Sequence, residues 1–309
     1  MKRKANKTIF ALIGIVITTG CAAKQPTLTG AGSSTPVVAL ENWESALKSK
    51  GVSYNYQSIG KYKAVTLFNE READFILSTE AISPNHIHSR RNDYIEIPIL
   101  KSDIAIAYNH NGCDLNLSKE QIHNIYNGVI DNYKQLGCPD QKINALEREE
   151  GSGTREAFEK FVETTQMSHK NISPSKKPLQ SNNIENILNR IEGGLGYLPS
   201  VIISFDNIKK ASIIDTAGKP SFPKQSPNRK GKETNTQTNI NEHKEVNYPL
   251  RSTVYLYIHR QGNKQKATSL KALAEFITSK SGRKIAEEAG YEKAPRLKPE
   301  TEDKIINIS

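Results

Sequence analysis

Between residues 28 and 77 the chain alternates strand-like and helix-like patterns, and this alternation restricts its fold more than any other feature. Residues 28–32 (LTGAG) read as a strand running into a glycine loop. Pro36 suits the first position of a helix with Thr35 as N-cap, and Val38, Trp43, Ala46 and Leu47 offer that helix an apolar face. Val52, Tyr54 and Tyr56 alternate with Ser53, Asn55 and Gln57, the period of a strand. A helix over 64–72 and a short strand over 74–77 follow. Strands separated by helices imply an α/β chain with a mostly parallel sheet.

The pattern continues downstream. Residues 104–108 read as a strand. Ser118 and Gln121 form a capping box ahead of Ile122, Ile125 and Tyr126, with Gly128 as the stop. A helix over 155–163 carries Ala157, Phe158, Phe161 and Val162. Ile184, Ile187, Leu188 and Ile191 make another amphipathic set, ended by Gly193 and Gly194, before a strand region opening at 196–198. Residues 254–258 read as a strand, and 268–279 and 281–289 as helices. Residues 219–248 are rich in Lys, Asn, Thr, Gln and Pro and nearly empty of aliphatics, which predicts a long exposed loop or disordered insertion.

The first twenty residues have the pattern of an export signal. Lys2, Arg3, Lys4 and Lys7 precede an apolar run at 9–17, too short to span a bilayer as a mature helix. Thr18-Thr19-Gly20-Cys21 resembles a bacterial lipobox, with Thr18 departing from the usual Leu or Val; Cys21 would then carry a lipid anchor. An ordinary secretory signal with an incidental cysteine is the alternative. Four of the 43 Lys and Arg and none of the 33 Asp and Glu lie in residues 1–20, so the net charge of +10 becomes +6 without them. That mild excess favours anions or an anionic envelope surface, and there is no basic stripe interleaved with aromatics to suggest nucleic acid. Cys113 and Cys138 form an even pair in an exported chain and read as one disulfide, two free buried cysteines being the alternative.

Two segments are suited to an oxyanion: Gly30-Ala31-Gly32-Ser33-Ser34-Thr35-Pro36, and Arg148-Glu149-Glu150-Gly151-Ser152-Gly153-Thr154. Each puts small residues and hydroxyls at the start of a helix, where unpaired N–H groups and a partial positive charge gather. Arg148 adds a fork of donors. Each segment alone equally describes a plain N-cap.

In order along the chain, LTGAGSSTP, YQSIG (56–60), DFILSTEAIS (74–83), LNLSKEQIHNIYNGVIDNY, EREEGSGTREAF, GGLGYLP, YPLRSTVYLYI and FITSKSGRKIAEEAGY resemble the landmarks of the phosphate-binding proteins of bacterial high-affinity phosphate ABC transporters. The resemblance runs from about residue 28 to 295, apart from the insertion. It implies a two-lobed periplasmic-binding-protein (type II, venus-flytrap) α/β fold with two hinge crossovers, near 101–104 and 252–257. After a signal at 1–20, one lobe would comprise 21–103 and 254–309, and the other 104–253. It implies inorganic phosphate as ligand, held between lobes that close by hinge motion, and a membrane permease as partner. The protein would be a monomer in the periplasm or at the cell surface, with no catalysis and no cofactor.

Position by position, the resemblance gives phosphate contacts to the Ser34 hydroxyl, the Thr35 backbone N–H, Arg148, Ser152, Gly153 and Thr154, and makes Glu150 the acid that holds Arg148, a solvated surface glutamate being the alternative. Two positions depart from the family pattern. Glu80 stands where the family has an aspartate, the acceptor for protonated phosphate, and Lys61 stands where it has a serine. Lys61 would pair with Glu80, neutralise ligand charge, or point to solvent. A sensor or adhesion lipoprotein of the same fold, or a binder of another oxyanion, is the rival reading.

Other chemistries lack their motifs. Gly151-Ser152-Gly153 does not have the Gly-x-Ser-x-Gly spacing of a hydrolase elbow, and none of the seven histidines sits in a partner motif. His86 and His88 have no third ligand at a telling spacing, so no metal site is expected.

Overall fold

The computed structural model describes residues 26–88, 90, 93–162, 183–224, 248–260 and 264–309. The expected export signal, Cys21, and most of the expected insertion (225–247) lie outside the described residues. Among the described residues no helix is long and apolar enough to cross a membrane.

The first lobe opens with β1 (Thr27–Gly32), α1 (Val37–Lys48), β2 (Ser53–Ser58), α2 (Lys61–Asn69) and β3 (Phe75–Thr79). β1 lies between β2 and β3, parallel to both, as strands joined by helical crossovers can be. Then comes β4 (Tyr94–Asn109), a single strand of 16 residues. β5 (Asn116–Ser118), α3 (Lys119–Tyr126), β6 (Asn144–Ala145), α4 (Gly153–Val162), α5 (Ile184–Arg190), β7 (Gly194–Pro199), β8 (Lys209–Lys210), β9 (Ser212–Ile214) and β10 (Pro220–Ser221) build the second lobe. The chain returns through β11 (Arg251–His259) and finishes with α6 (Lys264–Thr278), α7 (Lys280–Glu288) and α8 (Pro299–Ile306).

The main sheet runs β2-β1-β3-β11-β4-β7-β6, with β8 also paired to β4. β4 joins the two lobes because it changes partners midway. Up to Asp103 it pairs antiparallel with β11, and from Ile104 onward it pairs with β7 and β8. The return crossing falls at 250/251: Leu250 packs in the core of the second lobe, while Arg251 pairs with Asp103 and Val254 sits in the core of the first. That is slightly earlier than the 252–257 expected from the sequence, because the whole of β11 is recruited into the first lobe's sheet.

Each lobe is a sheet with apolar clusters on both faces. In the first, Trp43, Leu256, Leu273 and Phe276 form one cluster beneath α1 and α6, and Phe68, Ile76 and Tyr257 form another beneath α2. In the second, Tyr126, Phe158 and Tyr197 stack against β4 and β7, with Leu188 and Leu198 on the opposite face. Phe158 and Tyr197 lie parallel at 4.0 Å between centroids. The capping box is formed: Ser118 accepts from the Gln121 N–H, and Gln121 accepts from the Ser118 N–H. A disulfide joins Cys113 to Cys138, with 5.5 Å between their Cα atoms. Two expectations need correction. Residues 220–221 are paired as β10 and Ser221 is buried, so the first part of the supposed insertion belongs to a small sheet. Helix α1 is capped by Pro36 rather than Thr35, whose hydroxyl is engaged elsewhere.

Candidate functional site: an anion cleft between two helix starts

The loop after β1 approaches the neighbouring strand so closely that only glycine fits at its base. Gly32 stands at φ +145°, and a Cβ there would lie 2.0 Å from the Leu77 carbonyl oxygen. The Ser33 N–H donates to that same carbonyl at 2.9 Å. Two tyrosine hydroxyls pin the loop from opposite sides, Tyr56 donating to the Ser33 carbonyl (2.7 Å) and Tyr291 to the Thr35 carbonyl (2.6 Å). The Ser33, Thr35 and Thr79 hydroxyls form a closed cluster, with Thr79 donating to Thr35 at 3.0 Å. Every hydroxyl of the loop is thus committed internally except one. Ser34 Oγ is buried and has no hydrogen-bond partner among the described residues.

The second segment comes from the other lobe and meets the first at Thr79. Gly153, the first residue of α4, is pressed against the end of β3: a Cβ there would lie 1.9 Å from the Thr79 carbonyl oxygen. The starts of α1 and α4 are therefore brought together across the cleft through Thr79. Thr154 is 1% exposed, and its Oγ1 has no hydrogen-bond partner among the described residues. Arg148 is also 1% exposed. Its Nε donates to Ser152 Oγ (2.9 Å), its backbone N–H donates to the Tyr197 hydroxyl (3.4 Å), and its Nη1 has no partner among the described residues. Burial holds the guanidinium's pKa down to about 10, with Tyr197 and Glu149 acting in the opposite direction. Arg148 is still a cation at neutral pH, and a buried cation with an unpartnered donor is poised for an anion.

Of the expected residues, Ser34, Thr35, Arg148, Ser152, Gly153 and Thr154 are assembled in this one buried cluster, but the Thr35 backbone N–H expected to meet phosphate donates instead to Ser33 Oγ at 3.2 Å, because the loop folds back on its own hydroxyl. Three are placed differently. Glu150 is exposed and does not hold Arg148; the acid acting on that guanidinium is Glu149. Lys61 is not free to meet a ligand. It is 8% exposed, and its Nζ is hydrogen-bonded to the Glu156 carboxylate on α4. The Lys61 hydrogen bond thus goes to Glu156 and not to Glu80, which feels Lys61 only as a nearby charge. Glu80 is half-buried, and burial raises its pKa, with Lys160 and Lys61 opposing and Glu156 adding to the rise. Its backbone takes φ +110°, where side chains are rarely found, and its N–H donates to the Thr253 carbonyl at 3.0 Å.

The sequence reading missed the residues that hold the donors in place. Arg155 Nη1 donates to the Arg148 carbonyl (2.8 Å), while its Nε and Nη2 pair with Glu159 (2.7 Å) and Glu147 (3.1 Å). The Arg155–Glu159 spacing of four was legible as a helix pair; the contact with Arg148 was not. Ser33, Thr79 and Tyr197 gave no signal of their own. Among the described residues no group of three His, Cys, Asp or Glu could hold a metal ion.

Known proteins resemble this chain over most of its length. A phosphate-binding protein PstS from Staphylococcus aureus is 25% identical over 276 residues, covering 86% of this chain and 78% of that protein. Its counterpart from Staphylococcus haemolyticus is 26% identical, covering 86% and 80%. A putative phosphate ABC transporter substrate-binding protein with bound phosphate from Clostridium perfringens superposes with a TM-score of 0.68 at 21% identity, over 87% of this chain and all of that one. A phosphate-binding protein from Stenotrophomonas maltophilia gives 0.66 at 16% identity, over 90% and 93%. These structures match the two-lobed fold. Residues 18–281 match the PBP superfamily domain, and the chain belongs to that superfamily.

Proposed function

We propose that the protein is an exported solute-binding protein that captures inorganic phosphate between its lobes and delivers it to an ABC transporter. The observation that carries this reading is the set of buried donors without partners among the described residues, Ser34 Oγ, Thr154 Oγ1 and Arg148 Nη1, gathered where two helix starts meet. An unmet buried donor costs about 1–3 kcal/mol, so a ligand that satisfies three at once recovers what the empty fold forgoes. A tetrahedral oxyanion presents enough acceptors for all three, and helix starts favour its charge. The names of the relatives in S. aureus and C. perfringens support phosphate over other oxyanions.

The chemistry is capture without a covalent step. Water around the anion is replaced by hydroxyl, backbone and arginine donors, and hinge motion at 103/104 and 250/251 closes the lobes. Glu80 is the acceptor for a proton on the ligand. A lipid on Cys21 would tether a monomer to the membrane in the periplasm or at the cell surface, and this part of the reading rests on the sequence alone. Calorimetric titration of the ligand-stripped protein with phosphate and with sulfate tests the proposal. Tight phosphate binding with weak sulfate binding is expected; binding of neither overturns it.

A further inference from the structure

Lys61 is the first residue of α2, a position where the helix's own field disfavours a cation and where α2 has no acidic residue in its first turn. It is nevertheless 8% exposed. What compensates is Glu156, which comes from the other lobe and is bonded to Lys61 Nζ. The Tyr62 ring adds to the same contact: Lys61 Nζ lies 5.2 Å from its centroid. The ring itself is pressed on Gly151, where a Cβ would lie 2.2 Å from Tyr62 Cδ2. Glu149 Oε1 completes the edge, 3.4 Å from where a Cβ of Gly60 would be. Residues 60–62 of one lobe and 149–156 of the other thus interlock beside the anion donors.

We propose that Lys61 and Glu156 are an affinity-setting latch, an ion pair made across the cleft on closure that never touches the ligand and governs how slowly a captured anion leaves. The proposal rests on the reading of the cleft as a phosphate trap. Glu156 lies three residues after Gly153 on α4, so it travels with the donors. Drawing the start of α4 against Thr79 brings Glu156 to Lys61, and separating the lobes returns both charges to water. The pair is present in only one of the two states, so it shifts the balance between them. A contact formed after encounter acts mainly on dissociation. It also accounts for the lysine in the second loop: its charge is spent on the opposite lobe and not on the ligand.

Four forms of the full-length protein test this: wild type, Lys61→Met, Glu156→Gln, and the exchange of Lys61→Glu with Glu156→Lys. Stopped-flow phosphate release is expected to be about tenfold faster in each single variant, with association unchanged, and to return to within about threefold of wild type in the exchange. Release rates in the single variants equal to wild type overturn the latch. Small-angle scattering without ligand provides a readout that does not depend on phosphate. The latch predicts a larger radius of gyration for both single variants and a wild-type radius for the exchange. If wild type fails to bind phosphate, equal radii in all four proteins overturn the latch as well. Failure to bind phosphate with expanded single variants overturns the phosphate reading and supports the latch.

Discussion

Asp103 and Arg251 face each other at the point where both crossing strands pass between the lobes, with Oδ1 and Nε 2.8 Å apart. Asp103 is 3% exposed, and its other oxygen accepts from the Lys224 N–H at 2.8 Å. The carboxylate on β4 is therefore satisfied on both oxygens, once from β11 and once from the chain leaving the small sheet. A hinge built on paired strands needs such a fixed point if the lobes are to swing without the strands slipping.

Arg251→Met leaves the Asp103 charge buried with one partner. Removing one member of a buried pair costs about 3–5 kcal/mol, and the partial exposure of Arg251 together with the surviving Lys224 contact reduces the expected loss to about 2 kcal/mol. Urea denaturation measures it as a lower midpoint at an unchanged slope.

Arg148 gives a pH signature with opposite signs for affinity and stability. Its pKa is held down to about 10 by burial, against an ordinary 12.5. Phosphate binding needs the cation, so affinity falls as pH rises through about 10, approaching tenfold per pH unit above it. The unliganded fold behaves the other way. Below about 10 the cost of burying the charge is fully present. Above it the folded state has lost a proton that the unfolded state keeps, so this residue's contribution to stability rises with pH. Titrations and denaturant melts at stepped pH between 8 and 11 measure both.

Glu80 is a carboxyl whose pKa burial raises, so at neutral pH its ionised form opposes folding. Glu80→Gln is expected to raise the Tm of the unliganded protein at pH 7. The gain shrinks as pH falls through the raised pKa, because the wild-type side chain then takes up a proton and the cost disappears. Phosphate affinity of the variant should drop in the same experiment, since an amide is a poorer acceptor. A Tm gain independent of pH would refute the electrostatic account.

Gly153→Ala places a methyl 1.9 Å from the Thr79 carbonyl oxygen of the opposite lobe. The clash exists only when the lobes meet. Overpacking of this kind costs about 1–3 kcal/mol, which corresponds to roughly 5- to 150-fold weaker phosphate binding, read by calorimetry.

Much of the local structure was readable from short-range pattern. The alternation in residues 53–57, the capping box at Ser118 and the apolar spacing of 184–191 each involve neighbours within one or two turns. The full length of β4 was not readable. Glu96, Pro98 and Lys101 interrupt the apolar run, and Pro98 is tolerated because β4 bulges beside it: Val254 pairs with Leu100 and Tyr255 with Pro98, which leaves Ile99 as the extra residue. Helix α8 was missed because, of its own residues, only Ile305 is buried.

The sequence alone determined the α/β class, the two hydroxyl-rich helix starts and the residue types able to grip an oxyanion, because these depend on periodicity and on groups adjacent in the chain. What each charged group does depends on partners far away in the chain. Lys61 meets Glu156 across 95 positions, Glu149 rather than Glu150 acts on Arg148, and Arg155 turns back to brace the Arg148 carbonyl. Which charges lose their water, and which partner then compensates them, depends on how one lobe lies against the other, and no local pattern encodes that.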